Sequence, residues 1–359
     1  MGVSGIHVLH GPVDNVPVRP QSPLILTDFL HDVSKKGKGE KLTGVMQTSL
    51  STRSGSPAES ESQAAAHSSS SIWEQNPELC RNPEHQFLHD ESDYNAALAT
   101  ASPARIAKVS ILYGDPNPTY ERALRTHELH NRIHGVRGYV MRDQVLDGVW
   151  NKPAYILSIL AEELQKPPET RLEWLLWVDG DTIVLNPCVP PAKFLPPTPD
   201  VHVVVANDGN GLNNGIFLLR VNSWALELFA GVVGFRHLLP GEELRFNDQS
   251  AMERLLHEDK FRRNVAYVPQ RWFNAYHAFQ NETLGPERVR RGDFLIHFAG
   301  RGNRNEEMQY WLNIAEHHRP DWELAFYKTA YPEEIVDYWN AWLNDRNSGT
   351  DSEKKEGGE

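Results

Sequence analysis

Two aspartates, Asp179 and Asp181, flank a single glycine directly after the apolar run WLLWV. Both carboxylates leave the end of one strand and can point to the same side of it. Two hard oxygen ligands that close suit Mg²⁺ or Mn²⁺, ions that keep positions open for water and for the phosphate oxygens of a ligand. Solvated turn acids are the other reading of an isolated D-x-D. His297 closes a second apolar run, DFLIHF, just before Ala299 and Gly300. If the two strand ends meet in one sheet, its imidazole becomes a third ligand, and a histidine beside two aspartates selects Mn²⁺ over Ca²⁺. If they do not, it is a core histidine bonded to a backbone carbonyl. His127 and His130, three apart in a helical stretch, have zinc-ligand types but no accompanying Glu or Cys pattern.

Two polar clusters could serve a sugar. GLNNGIFLLRVNSW at 211–224 puts Asn213 and Asn214 before a glycine and a buried strand. NDQSAMERLL at 247–256 opens a helix with Asn247 or Asp248 at its N-cap. Beyond capping, such amides and a carboxylate supply the fixed donors and acceptors that sugar hydroxyls need.

An α/β framework must position these groups. RIAKVSILYGD at 105–115 reads as a buried strand ending in a turn, and a helix follows from about Pro118 to His134, stopped by Gly135. VRGYVMR at 136–142 is a second strand. A helix then opens at Lys152, with Pro153 in its first turn, and ends before Pro167 and Pro168. The third strand is the one in RLEWLLWVDGDTIVLNP at 171–187. This alternation predicts parallel pairing with helices on the faces, and such sheets bind ligands outside the carboxyl ends of their strands. VHVVVAND, GIFLLRV, VAYVPQ and DFLIHFAG add strand-like runs, interleaved with helical patterns at 222–237, 247–258 and 305–317.

Composition sets the limits of the domain. The 359 residues hold 36 Lys+Arg against 48 Asp+Glu, a formal charge of −12, which argues against binding to nucleic-acid backbones. Residues 34–71 form a Ser-rich polar tract that cannot offset its ordering entropy and reads as disordered. LILTDFL at 24–30 is a short docking segment or more disorder. The expected division is a mostly disordered region 1–104, one domain at 105–343 and a charged disordered tail at 344–359. Cys80 and Cys188 allow at most one bridge, which excludes a disulfide scaffold and a thiolate-rich zinc module. No run approaches the ~18 apolar residues of a membrane span, and prolines interrupt the first thirty residues where a signal peptide needs an apolar stretch. The expectation is a soluble chain without a visible address.

Taken together, the motifs resemble glycosyltransferase family 34, the fungal α-galactosyl- and α-mannosyltransferases related to plant xyloglucan xylosyltransferases. The resemblance runs over roughly residues 107 to 312. It is carried by H127-x-x-H130-N131-x-x-H134-G135, W150-N-K152, W177-V-D179-G-D181 with N186-P187, and G211-L-N-N-G215 leading to R220. N247-D248-Q249-S-A251, V268-P-Q270-R271 with N274-A-Y276, and G292-D293 leading to H297-F-A-G300 complete it. Their order and spacing are specific where no single one is. The resemblance implies a single GT-A domain, Rossmann-like and binding a nucleotide sugar, and a Mn²⁺-dependent transfer of a hexose from UDP or GDP to a glycan acceptor with retention. It implies that Asp179, Asp181 and His297 hold the metal and that Lys152 lies near the donor diphosphate. Asn213, Asn214, Asp248 and Gln249 then surround the reacting sugar and acceptor. It also implies a Golgi location, usually through an N-terminal membrane anchor, and assembly with itself or with related transferases.

Two departures stand out: Asn247 replaces a second acid that many relatives carry, and a polar tract stands where the anchor would be. Asn281-Glu-Thr283 is a sequon compatible with a lumenal life. Two rival readings are a sugar-nucleotide-binding partner protein without activity and a haloacid-dehalogenase-like phosphatase with Asp179 as nucleophile. The second places its motif on a first strand, whereas two strand–helix units precede this one.

Overall fold

The run that ends in the two aspartates is the centre of the sheet. β3, Trp174–Val178, is buried at all five positions, as expected of a strand covered on both faces. A computed structural model describes Cys80, residues 104–277 and residues 285–356, with side chains described as far as residue 346. The Ser-rich tract, LILTDFL and the Asn281 sequon lie outside the described residues.

On one side β3 pairs in parallel with β1, Ile106–Ile111, and β1 with β2, Arg137–Met141. On the other side it pairs antiparallel with β6, Gly211–Arg220. Beyond β6 lie β5, Val203–Asp208, antiparallel to it, and β7, Val265–Tyr267, parallel to β5, for an order β2-β1-β3-β6-β5-β7. The α/β class is borne out, and the expected parallel pairing holds for the β2-β1-β3 half; the other half is mixed, because β5 and β6 form a tight hairpin. β4, Thr182–Val184, and β8, Leu295–His297, make a separate two-stranded antiparallel ladder with Thr182 opposite His297. The two site strands do meet, though in this small ladder and not in the main sheet.

The first helix, α1, spans Pro118–His134; the Asn117 side chain accepts from the Thr119 N–H, and Gly135 at φ 63° closes it by donating to the Asn131 carbonyl. α2 is Asn151–Glu163, α3 Ser223–Leu238 and α4 Asp248–His257. α5 is Arg304–Glu316, and α6, Tyr331–Glu356, continues beyond residue 343 into the stretch that composition assigned to a tail, with no proline after Pro332 to stop it. Trp177 stacks on Phe217, and Phe217 on Phe229 of α3, so the central strands and this helix share one aromatic column. Cys80 is bonded to Cys188 in the turn after β4.

Gly135 turns the chain from α1 toward β2. A Cβ there would meet nothing within 4 Å, so the cost of Gly135→Ala is backbone strain alone. We expect a loss of about 1 kcal/mol in urea unfolding with the m-value unchanged.

Candidate functional site

β3 does not stop pairing at Val178. The Asp179 N–H donates to the Gly215 carbonyl at 2.8 Å, which extends the ladder with β6 one step and draws the D-G-D turn against the N-N-G run. The β4–β8 ladder then brings His297 beside Thr182, the residue after Asp181. One ligand atom from each of Asp179, Asp181 and His297 lies within 4.8 Å of the others, the one such acid/histidine/cysteine group among the described residues. Asp181 and His297 are buried and Asp179 half-buried.

The donor set fits a hard divalent ion with one imidazole. His297 Nδ1 lies 2.6 Å from Asn274 Oδ1; an amide oxygen can only accept, so Nδ1 carries a proton and Nε2 is the ring atom turned to the acids. Nε2 is 3.4 Å from Asp181 Oδ1. The three residues would hold such an ion from one side, leaving positions open for water and phosphate oxygens. Asp179 is fixed by the Trp177 indole N–H, which donates to Oδ1 at 2.7 Å. Burial raises the Asp181 carboxyl, but His297 and the Arg304 guanidinium pull it down to about 2.

Lys152 reaches the same acids from α2. Its Nζ is 3.1 Å from Asp179 Oδ1 and 3.7 Å from Asp248 Oδ2, and it donates to Asn214 Oδ1 at 3.0 Å and to the Asn214 carbonyl at 3.2 Å. Burial opposes its charge, yet Asp179 and Asp248 outweigh burial and raise its pKa above the ordinary lysine value. Asp248 is buried, and burial pushes its carboxyl up against the pull of Lys152. The Asn214 amide donates to Asp248 Oδ2 at 2.9 Å, and the Asn214 N–H donates to Gln249 Oε1 at 3.3 Å.

Of the eight residues that the sequence assigns to metal, donor and sugar, six (Lys152, Asp179, Asp181, Asn213, Gln249 and His297) line one cleft of about 590 Å³, a normal size for a small-molecule site, and Asn214 and Asp248 stand behind it against Lys152. Their roles divide. Asn213 and Asn214, adjacent on β6, face opposite sides of the strand and spend their amides inside the protein. Asn213 donates to Asp208 Oδ2 at 2.8 Å and to the Tyr276 hydroxyl at 3.0 Å, while its Oδ1 accepts from the Gly215 N–H at 2.9 Å. Capping of α4 differs from expectation. Asn247 holds the N-cap position at φ 49° without a side-chain bond, and Asp248 turns inward to Asn214 and Lys152. His127 and His130 do not form a ligand pair: His127 Nε2 lies 2.9 Å from Thr182 Oγ1, and His130 lies between Lys108 Nζ and the Val189 carbonyl.

Arg304 was not legible. From the start of α5 its Nε reaches Asp181 Oδ2 at 3.1 Å, and an NH group donates to the Tyr120 hydroxyl at 3.1 Å. No motif marks it, because its place depends on α5 docking against α1. Asn274 appeared in the sequence only within the run NAY, and its role as the partner of His297 needed the fold.

The family resemblance read from the motifs is borne out over residues 193–308, which match the model of the galactosyl transferase GMA12/MNN10 family. That stretch includes Asn213, Asn214, Asp248, Gln249, His297 and Arg304, while Lys152, Asp179 and Asp181 precede it. An alpha-1,2-galactosyltransferase of Schizosaccharomyces pombe is 24% identical over 179 residues, 40% of this chain and 45% of that protein. A second S. pombe protein, named as an uncharacterized alpha-1,2-galactosyltransferase, is 25% identical over 191 residues, 42% of this chain and 52% of its own length. The chain thus spans about half the length of these curated relatives. Among solved structures, a glycosyltransferase involved in the glycosylation of the major capsid of PBCV-1 aligns with TM-score 0.44 and 16% identity over 57% of this chain and 98% of its own. The galactosyltransferase LgtC, with donor and acceptor sugar analogues, aligns with TM-score 0.35 and 12% identity over 57% of this chain and 95% of its own.

The triad depends on two residues that are not in it. A Cβ at Gly215 would come within 2.2 Å of His297 Cε1 and 2.9 Å of Nε2, so Gly215→Ala must displace the imidazole. Asn274→Ala frees the ring to rotate and to change tautomer. We expect each to weaken Mn²⁺ affinity by about 10- to 100-fold in calorimetric titration with the circular dichroism spectrum retained. Wild-type affinity in both would show that His297 is not a ligand.

Proposed function

We propose that this chain is a GT-A glycosyltransferase that moves a hexose from a nucleotide sugar to a glycan hydroxyl, with Mn²⁺ held by Asp179, Asp181 and His297. The observation that carries the reading is the convergence of this triad with two cations, Lys152 and Arg304, in a cleft whose far side is lined by Asn213 and Gln249. The names of the relatives favour galactose from UDP over mannose from GDP.

When bound, the ion supplies Lewis-acid charge to the leaving diphosphate. The protein's own residues supply the rest. Lys152 and Arg304 carry permanent positive charge into the same space and offset what develops on the departing phosphate oxygens. Reorientation is short, since both cations already lie within about 3 Å of the acids that would receive the metal. Gln249 lines the cleft and, through Asn214, is tied to the Asp248 carboxylate. In this reading Gln249 steadies the electron-poor sugar and Asp248 fixes the amides and Lys152 from behind. Transfer then proceeds by attack on the leaving-group side. The acceptor C–O bond forms, the bond from the anomeric carbon to phosphate breaks, and a phosphate oxygen takes the acceptor proton. Configuration is retained without a carboxylate nucleophile.

The Cys80–Cys188 bond supports a lumenal setting, because such bonds persist in oxidising compartments. Golgi residence follows on this reading. Among the described residues no helix is long and apolar enough to cross a membrane.

The test is donor hydrolysis and transfer by the full chain against a panel of UDP- and GDP-sugars, with and without Mn²⁺. Asp181→Ala should keep the fold and lose on the order of a thousandfold or more in turnover. Turnover near wild type at saturating Mn²⁺ would overturn the metal assignment.

A further inference from the structure

One end of the cleft is built from a loop that the chemistry above does not use. Residues 142–150, between β2 and α2, contain no strand and only the 3₁₀ turn Gly148–Trp150. They are nevertheless fixed. Asn151, fully buried, accepts at Oδ1 from the N–H groups of Val145 at 2.8 Å and Leu146 at 2.7 Å. Its Nδ2 donates to the Tyr113 hydroxyl at 2.9 Å and to the carbonyls of Leu146 at 2.6 Å and Gly148 at 2.8 Å, so two hydrogens are shared among three acceptors. The Tyr113 hydroxyl donates in turn to the Gly148 carbonyl at 2.9 Å. Outside, Arg236 forms two bonds of 2.6 Å with Asp147 and lies 4.7 Å over the Trp150 ring.

Ordering a loop costs roughly 1 to 2 kcal/mol per residue in backbone entropy, and this one presents an apolar surface in return. Val149 lines the cleft and is 47% exposed. Tyr113 lines it too, and since its hydroxyl is committed to Gly148 and Asn151, the ring is the part on offer. Tyr113 follows the carboxyl end of β1, with Gly148 bonded to it, and β3 with its aspartates lies between β1 and β6, the strand that carries Asn213 and to which Gln249 is bonded. A flat heteroaromatic ring is the ligand part that stacking and apolar contact can hold there without side-chain hydrogen bonds.

We propose that Asn151 is a positioning residue for the donor's nucleobase, locking the 142–150 loop to Tyr113 so that the Tyr113 ring and Val149 receive the base. The inference rests on reading the cleft as a nucleotide-sugar site. It separates base recognition, which depends on Asn151, from diphosphate recognition, which depends on the triad, Lys152 and Arg304.

The experiment is calorimetric titration of the full chain with UDP, GDP and inorganic pyrophosphate in Mn²⁺, on wild type, Asn151→Asp and Val149→Ser. Asn151→Asp keeps the acceptor for the Val145 and Leu146 N–H groups but cannot donate to Tyr113 or Gly148. Val149→Ser alters an exposed side chain and leaves the fold intact, so it carries the test should Asn151→Asp prove unstable. We expect the tighter-binding nucleoside diphosphate to lose about tenfold in Asn151→Asp and several-fold in Val149→Ser, with pyrophosphate within about twofold of wild type in both. Equal losses for pyrophosphate would make Asn151 a structural residue only, and unchanged nucleotide affinity in Val149→Ser would remove the base from that surface. A wild-type chain that binds neither UDP nor GDP more tightly than pyrophosphate would instead overturn the nucleotide-sugar reading, and this inference with it.

Discussion

The site depends on one antiparallel pairing, β3 with β6, carried a single hydrogen bond past the end of the strand. Register fixes Val178 opposite Ile216, and the bond from Asp179 to Gly215 follows from it. A one-residue slip would turn every side chain of β6 to the other face. Slipped in one direction, Asn213 would take the place of Asn214, and Asn214 would take the place of Gly215 against the ring of His297. Slippage is prevented by burial, since Trp177 and Phe217 are paired partners that stack inside a core where neither ring is exposed. The cleft is held in register by an aromatic pair whose Trp177 also reaches the site, donating its indole N–H to Asp179.

Charge is the second constraint. Asp179, Asp181 and Asp248 converge on one cleft, two of them buried, and desolvated acids that close repel. Lys152 lies between Asp179 and Asp248, and Arg304 and His297 lie against Asp181. Breaking a buried pair by removing one partner costs about 3–5 kcal/mol, because the remaining charge has no substitute. Lys152 is therefore structural and functional at once. It also stacks its ammonium 5.6 Å over the Trp177 ring, which ties the electrostatics back to the aromatic column.

The parts legible in the sequence were those whose meaning is local. An apolar run followed by D-G-D marks a strand end, Gly135 marks the end of α1, and LIHF followed by Ala and Gly marks a second strand end. The residues that proved illegible act over long separations. Arg304 meets Asp181 only because α5 packs on α1, through contacts such as the Gln309 amide donating to Thr119 Oγ1 at 2.7 Å. Asn274 meets His297 through a backbone bridge between Ala275 and Ile296. Asn247 shows the same limit in reverse: its type signals a cap, but its backbone, at φ 49° and ψ −118°, turns the chain so that Asp248 points inward. The local rule locates the cap at Asn247, and only the fold shows that its side chain makes no capping bond while Asp248 turns to Asn214 and Lys152.

The distribution of polarity along the cleft argues for one ligand in three parts. Tyr113 and Val149 at one end offer rings and methyl groups; the middle gathers the metal triad and two cations; Asn213 and Gln249 mark the other end. An apolar ligand would desolvate the central charges without adding a partner, and a simple anion would leave the apolar end uncovered. On the proposed reading, a flat base, a diphosphate and a sugar joined in that order would take the three segments in turn. The linkage has an energetic consequence, since contacts at the base end secure the diphosphate beside the metal triad without touching the bond that breaks. Binding energy gathered at Val149 is thereby available to orient chemistry at the far side of the metal site, which is where remote binding energy is best used.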